Sequence, residues 1–347
     1  MPVVHCVGLD IAKNVFHVHG VDRGGRTIFS RRLRRAELLR FFANLPQCVI
    51  GMEACATAHH WARELGKLGH DCKLIPARYV KAYLKTNKND ARDAEAICEA
   101  AQRPSMHFVA VKSVDQQAVL TLHRSRELLV TQRTQLGNSI RAQLAEFGLY
   151  LRVGSWTLTR QVAELFRSDT DLVPIMVRSL IELLVEQWKG VQARITHLER
   201  QIAQWHRNSE QSKRLAEIPG IGPITASAMV ATIGDAKAFR SSRHFAAWLG
   251  LIPRQQSTGG KPKLGPISKR GDGYLRRLLV HGAQSVMRWH RAHPNDRRPW
   301  LDELLRRRPV NVAAVAVANK NARTIWALLT RGERFVGYRS GETITAG

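Results

Sequence analysis

The sequence predicts an α/β domain at its N-terminal end and a mostly helical remainder. Three observations carry that expectation. Short apolar runs alternate with helical patterns through the first third, a heptad repeat occupies the middle, and the last third joins helical spacing to loops rich in glycine and proline. In order, Val3–Ile11 reads as a first strand, and Val15–Val21 and Arg26–Leu33 as a hairpin around Asp22-Arg23-Gly24-Gly25. Ala36–Leu45 is helical, Cys48–Glu53 a fourth strand, Ala58–Leu68 a helix ended by Gly69, and Cys72–Ile75 a further strand. A three-strand meander followed by alternating helices and strands makes a mixed sheet with helices packed on it.

From Leu184 the apolar positions run Leu184, Trp188, Val191, Ile195, Leu198, Ile202 and Trp205, with spacings that alternate four and three, the seam of a coiled coil. Leu122, Leu129, Leu136, Ile140, Leu144 and Phe147 form a second stripe, interrupted by Arg126 and Arg133. Two readings stand equally here: two helices of one hairpin packing together, or a seam between two copies of the chain. The expected organisation is an α/β domain over 1–112, a helical and coiled-coil region over 113–210, a mainly α C-terminal domain over 211–330 and a loose tail over 331–347.

Composition narrows the partners. The 347 residues suit two or three domains, and a hydrophobic content of 44% supports real cores. Lysine and arginine number 54 against 28 acids, a formal charge of +26. A chain so basic repels itself when compact, which makes sense when a polyanion is its normal partner, and nucleic acid is the first candidate. A membrane is not expected, because no apolar run approaches ~20 residues. Val310–Ala318 is far too short to span, and Met1–Leu9 has no charged start or long apolar stretch. Arg254 to Arg308 holds 14 basic residues against four acids, so the charge concentrates there. The five cysteines all lie within the first 98 residues, with no CxxC pair, and read as reduced thiols of a cytoplasmic protein.

Four acids stand out. Asp10 closes the first strand and Glu53 the fourth, each among apolar neighbours where a carboxylate is costly without a partner. Asp90 and Asp93 lie at i and i+3, on one face of a helix start, although Asp90 also suits an N-cap. Converging carboxylates repel unless a cation neutralises them. Hard oxygen ligands favour Mg²⁺, and two such ions ~3.5–4 Å apart clamp a scissile phosphate in ribonuclease-H-like nucleases and transposases. His59 and His60 are better read as solvated than as ligands.

Farther along, Pro219-Gly220-Ile221-Gly222 resembles the turn of a helix–hairpin–helix element. There Gly220 and Gly222 let backbone N–H groups approach a phosphate at a helix start, and a tight turn without a ligand is the alternative. Ser257 sits in a glycine-rich loop between Arg254 and Lys261. Its hydroxyl either binds a phosphate or attacks one, and the chemistry alone favours binding, since no base is identifiable. Lys263, Lys269, Arg270, Arg276 and Arg277 extend a phosphate-tracking surface.

With Gly8-Leu9-Asp10-Ile11-Ala12-Lys13, Asn89-Asp90-Ala91-Arg92-Asp93-Ala94 and the run from Gly250 to Arg277 in this order, the chain resembles the DEDD-type insertion-sequence transposases, the bacterial family of bridge-RNA-guided or seek-RNA-guided serine recombinases. The resemblance covers Val7 to about Trp289. It implies a ribonuclease-H-like, RuvC-like N-terminal domain whose Asp10, Glu53, Asp90 and Asp93 bind Mg²⁺. It also implies a C-terminal transposase domain in which Ser257 forms a phosphoserine link to DNA, which reverses the preference drawn from chemistry alone. Donor and target DNA, a guide noncoding RNA and a homo-oligomer, dimer or tetramer, are the partners it implies, with the site completed between protomers. A junction-type Mg²⁺ endonuclease whose serine only binds phosphate is the competing enzyme, and a non-catalytic nucleic-acid scaffold the competing binder.

Overall fold

The computed structural model describes residues 3–83, 90–154, 157–168, 172–258, 261–293 and 298–337; of Asp90, Ser257, Thr258, Lys261 and Pro262 it describes the backbone alone. Two compact units divide the chain, 1–114 and 115–347.

The first unit is a five-stranded mixed sheet. Strands β1 (Cys6–Asp10), β2 (Val15–Val21) and β3 (Thr27–Arg34) form the expected meander, and Asp22 closes its turn by accepting from the N–H groups of Gly24 and Arg26 at 2.8 and 2.9 Å. Helix α1 (Leu38–Ala43) leads to β4 (Val49–Glu53), and α2 (Ala58–Lys67) to β5 (Asp71–Ile75). The strand order is β3-β2-β1-β4-β5, with β4 parallel to both β1 and β5. A short α3 (Ala77–Val80) precedes α4 (Asp90–Ala101). Helix α4 lies directly on the sheet because the strands carry glycine where it crosses. A Cβ on Gly8 would meet the Ala94 carbonyl oxygen at 2.0 Å, and one on Gly51 the Ala101 Cβ at 2.6 Å. The segment that ends this unit is strapped to α2: Arg63 donates to the Lys112 carbonyl at 2.6 Å, and His59 Nδ1 accepts from the Lys112 N–H at 3.2 Å. His59, expected to be solvated, is half-buried by that strap.

Among the described residues the second unit is helical but for one hairpin. Helix α5 (Val114–Ala145) and α7 (Ile175–Asn208), with α6 (Leu158–Ser168) between them in sequence, form an antiparallel pair. Trp205 donates to Asp115 at 2.9 Å, Arg126 to Glu199 at 2.8 Å and Arg133 to Gln192 at 2.7 Å, so the partners run in opposite order. The two arginines that interrupt the α5 stripe are therefore rungs between the helices. Trp188, Val191, Ile195 and Ile202 of the heptad seam are buried within the single chain, which favours the hairpin reading of that seam.

Beyond it come α8 (Glu210–Ala216), α9 (Pro223–Ile233), α10 (Ser242–Trp248), the hairpin β6 (Pro253–Thr258) and β7 (Lys261–Ile267), α11 (Gly273–Ala292), α12 (Pro299–Arg307) and α13 (Val310–Arg331). Helix α9 is apolar all round and buried from Thr225 to Ala231, as a central helix must be. Val310–Ala318 opens the long α13, and no helix among the described residues is long and apolar enough to cross a membrane. The first residues of the expected loose tail are tied down, since Glu217 accepts from the Phe335 N–H at 3.1 Å; residues 338–347 lie outside the described ones.

Candidate functional site

Two elements meet in the first unit. Leu9 of β1 pairs with Met52 of β4 in parallel register, so Asp10 and Glu53 are the next residues along, side by side at the same sheet end. Each is two residues beyond the glycine that faces α4 (Gly8 and Gly51), and by the two-residue period of a strand both share that face. Helix α4 runs antiparallel to β1: Cys98 lies by Cys6, with each thiol donating to the other's carbonyl at 3.6–3.8 Å, and Ala94 lies by Gly8. Its first turn, Asp90 to Asp93, is thereby brought toward the end that bears Asp10 and Glu53. Asp10, Glu53 and Asp93 are all half-buried. The Cys55 thiol is pushed up first by burial and then by the carboxylates of Glu53 and Asp10, so both acids act on one point.

Among the described residues no three His, Cys, Asp or Glu side chains are gathered closely enough to hold a metal ion, and the Asp90 side chain lies outside them. The donor chemistry nevertheless fits a hard divalent cation, since carboxylates brought to one sheet end offer oxygen alone.

In the second unit the glycine hairpin divides by role. Gly220 has φ +85, and its backbone abuts α11 so closely that a Cβ on Gly282 would fall 1.9 Å from the Gly220 carbonyl oxygen. Asn321 of α13, fully buried, donates to the Pro219 carbonyl at 3.0 Å. Gly220 is thus accounted for by packing. Gly222 is exposed at the start of α9 with open space where a Cβ would stand, and it alone of the two is available to a phosphate.

The expected serine loop is a β-hairpin that extends into solvent. Residues 252–256 and 263–266 are exposed, and Gln255 pairs with Leu264, Gln256 with Lys263, Ser257 with Pro262 and Thr258 with Lys261. Polar residues on both faces hide the strand alternation. The signal that could have found it is Gly259-Gly260, a two-residue turn doublet. The base of the arm is a tight backbone crossing. A Cβ on Gly250 would meet the Arg270 carbonyl oxygen at 2.1 Å, and Lys269 adopts φ +53, a conformation a side chain tolerates poorly.

Arg254, Lys263, Lys269 and Arg270 are exposed around this arm. Arg276 and Arg277, grouped with them on sequence, already have partners within the chain: Arg276 is half-buried and Arg277 exposed. Arg276 donates to the carbonyls of Leu249 and Arg270 at 3.0 and 3.1 Å, and Arg277 pairs with Glu127 of α5.

Sequence reasoning also missed His123, which lies on the buried face of α5. It joins three helices, with Nδ1 3.0 Å from the Tyr274 hydroxyl and Nε2 3.0 Å from Ser227 Oγ. Burial first, then Arg126, lowers its pKa to about 4. The unfolded chain holds a proton on this imidazole below its ordinary value near 6.5 while the folded chain does not, so the stability it contributes is present above that value and is lost as pH falls toward 4. Acidification from pH 7 to 5 is expected to cost about 2 kcal/mol through this group. Urea unfolding of His123→Gln, which does not titrate, should show a flatter dependence over that window.

Comparison with known proteins decides the family. A profile for DEDD-type transposases of the IS110 group, described as "Transposase", matches residues 7–148, and the "Transposase IS116/IS110/IS902 family" profile matches residues 212–298. A "Probable family 20 transposase" of Pseudomonas aeruginosa is 52% identical over 94% of this chain and 96% of its own. The chain belongs to the IS110/IS116/IS902 transposase family. The "Transposase for insertion sequence element IS1328" of Yersinia enterocolitica is 43% identical over 96% of this transposase and 99% of its own length. A "Pilin gene-inverting protein" of Moraxella bovis is 32% identical over 35% of the chain. This transposase is accordingly an enzyme that cuts and rejoins DNA during transposition, and its two matched segments contain Asp10, Glu53, Asp90 and Asp93 on one side and Gly222 and Ser257 on the other.

Proposed function

We propose that this transposase moves DNA through a serine nucleophile, with Asp10, Glu53, Asp90 and Asp93 holding Mg²⁺ and Ser257 forming the covalent link. The observation that carries the reading is the pairing of Asp10 with Glu53 on adjacent parallel strand ends, facing the helix that begins at Asp90. Bound there, Mg²⁺ would supply the positive charge that lets a phosphate approach four carboxylates. Ser257 Oγ attacks phosphorus: the Oγ–P bond forms as the P–O bond to the departing strand breaks, and the hydroxyl proton ends on the released oxygen. One phosphodiester replaces another, so rejoining needs no added energy source. A nucleophile on an exposed two-stranded arm can reach into a DNA backbone, and Arg254, Lys263, Lys269 and Arg270 supply cations around it.

Residues 1–112 then form a RuvC-like metal domain, 113–210 the helical region and 211–330 the transposase domain, with a helix–hairpin–helix-like contact to phosphate at Gly222. A guide noncoding RNA beside donor and target DNA suits a charge of +26, which is large for one duplex alone. A homo-oligomer, dimer or tetramer, is the working assembly.

The test is to denature the protein on a labelled DNA substrate with Mg²⁺ and look for DNA bound to protein. An adduct that disappears in Ser257→Ala is expected. Free DNA ends with Ser257→Ala still cutting would sink the serine mechanism. They would favour the second reading, a metal-dependent endonuclease in which Ser257 binds phosphate, a reading helped by the exposed cations Arg254, Lys263, Lys269 and Arg270 around the arm. Sequencing of RNA that co-purifies should return one discrete species; a random mixture would remove the guide.

A further inference from the structure

We infer that Trp289, His293 and Trp300 form a ledge on which the unpaired bases of a single-stranded nucleic acid stack. The inference rests on membership of a DNA-handling family, but on neither the serine nor the metal.

The other tryptophans among the described residues are packed. Trp61 and Trp188 are buried, Trp205 bonds Asp115, Trp248 lies against Phe239 and Phe245, and Trp326 bonds the Ala236 carbonyl. Trp289 and Trp300 are each 43% exposed. One stands near the end of α11 and the other opens α12. His290, buried, reaches Asp302 at 2.7 Å and so ties the two elements together beside both rings. The exposure therefore belongs to a fixed piece of structure.

The surroundings select the occupant. His293 stacks on Trp289 with ring centres 4.4 Å apart and planes 18° from parallel, so the two rings already form a short stack on which a further ring can be added. The Arg298 guanidinium lies 5.3 Å from the Trp289 ring, and the Lys320 ammonium 4.4 Å from the Trp300 ring. Arg288 and Arg291 are exposed on the same helix end, while Asp302 is engaged by His290 and Glu303 by Arg307 at 3.2 Å. Aromatic faces set among cations suit a strand that offers π-faces and phosphates together. A duplex hides its base faces, so the ledge separates single strands from double strands. Trp289 is on the order of 24 Å along α11 from the helix start beside the serine arm, at 1.5 Å per residue. The ledge is thus a separate contact from the arm.

The experiment is fluorescence anisotropy with the full-length protein and three labelled probes: oligodeoxythymidylate and oligouridylate of about 15 nucleotides, and a DNA duplex. Trp289→Ala and Trp300→Ala are expected to weaken single-strand binding by about 5- to 100-fold while duplex binding stays within about twofold, and Trp289→Phe to restore most of the loss. The variant-to-wild-type ratio should persist at raised salt, where phosphate contacts fade. The ratio of the two single-strand affinities assigns DNA or RNA, and tight binding of either supports the ledge. A double Trp289→Ala, Trp300→Ala protein with an unchanged melting temperature that binds single strands as wild type does, or that loses duplex and single strand equally, overturns it. The readout is equilibrium binding and involves no cutting, so failure of the serine mechanism and failure of the ledge are read separately.

Discussion

Asp10→Ala is expected to lower DNA cutting by about a thousandfold, the scale that follows when a charge-stabilising group is removed from a phosphoryl-transfer site. The protein should still fold, because Asp10 is only half-buried and closes a strand rather than filling the core. Cleavage of a labelled substrate, followed beside circular dichroism, separates the two effects. Chelation should silence the wild-type enzyme, and Mg²⁺ should restore it. Wild-type cutting by Asp10→Ala would show that the strand-end acids are not the metal site, whatever the fate of Ser257.

The second large effect is on stability. Gly282→Ala adds one methyl group 1.9 Å from the Gly220 carbonyl oxygen, against backbone on both sides, so α11 and the α8–α9 turn must move apart. A loss of about 3 kcal/mol in urea unfolding is expected, at the upper end of overpacking costs. Gly222→Ala is the contrast. It meets open space, should cost within about 1 kcal/mol, and should act on DNA affinity instead. A Gly282→Ala protein as stable as wild type would show that the crossing of these backbones is looser than the geometry requires.

Much of the first unit was legible because its signals are local. The turn Asp22-Arg23-Gly24-Gly25 announces a hairpin, and apolar runs that end in an acid announce strands whose ends face something charged. The adjacency of β1 and β4 was only permitted by the order of elements, and the parallel register supplied it. The heptad from Leu184 was visible, but its partner was not, since a seam within one chain and a seam between two bury the same residues. Arg126 and Arg133 look like interruptions in sequence and are rungs in space. The serine hairpin was missed because solvated strands carry polar residues on both faces and lose the alternation that marks them. Arg276 and Arg277 make a related point: charge is written in the sequence, but the Leu249 carbonyl that Arg276 reaches and the Glu127 that pairs with Arg277 come from other segments.

The sequence by itself determined the class of partner and the α/β character of the first third, and it singled out four candidate acids, because charge, composition and strand-end chemistry are properties of short stretches. Tertiary structure alone decided which acids stand together, which of two hairpin glycines is free for a phosphate, which arginines are already engaged and which tryptophans remain in water. Each of these depends on close approach between segments far apart in the chain, set by packing at distances of a few ångströms that no local pattern encodes.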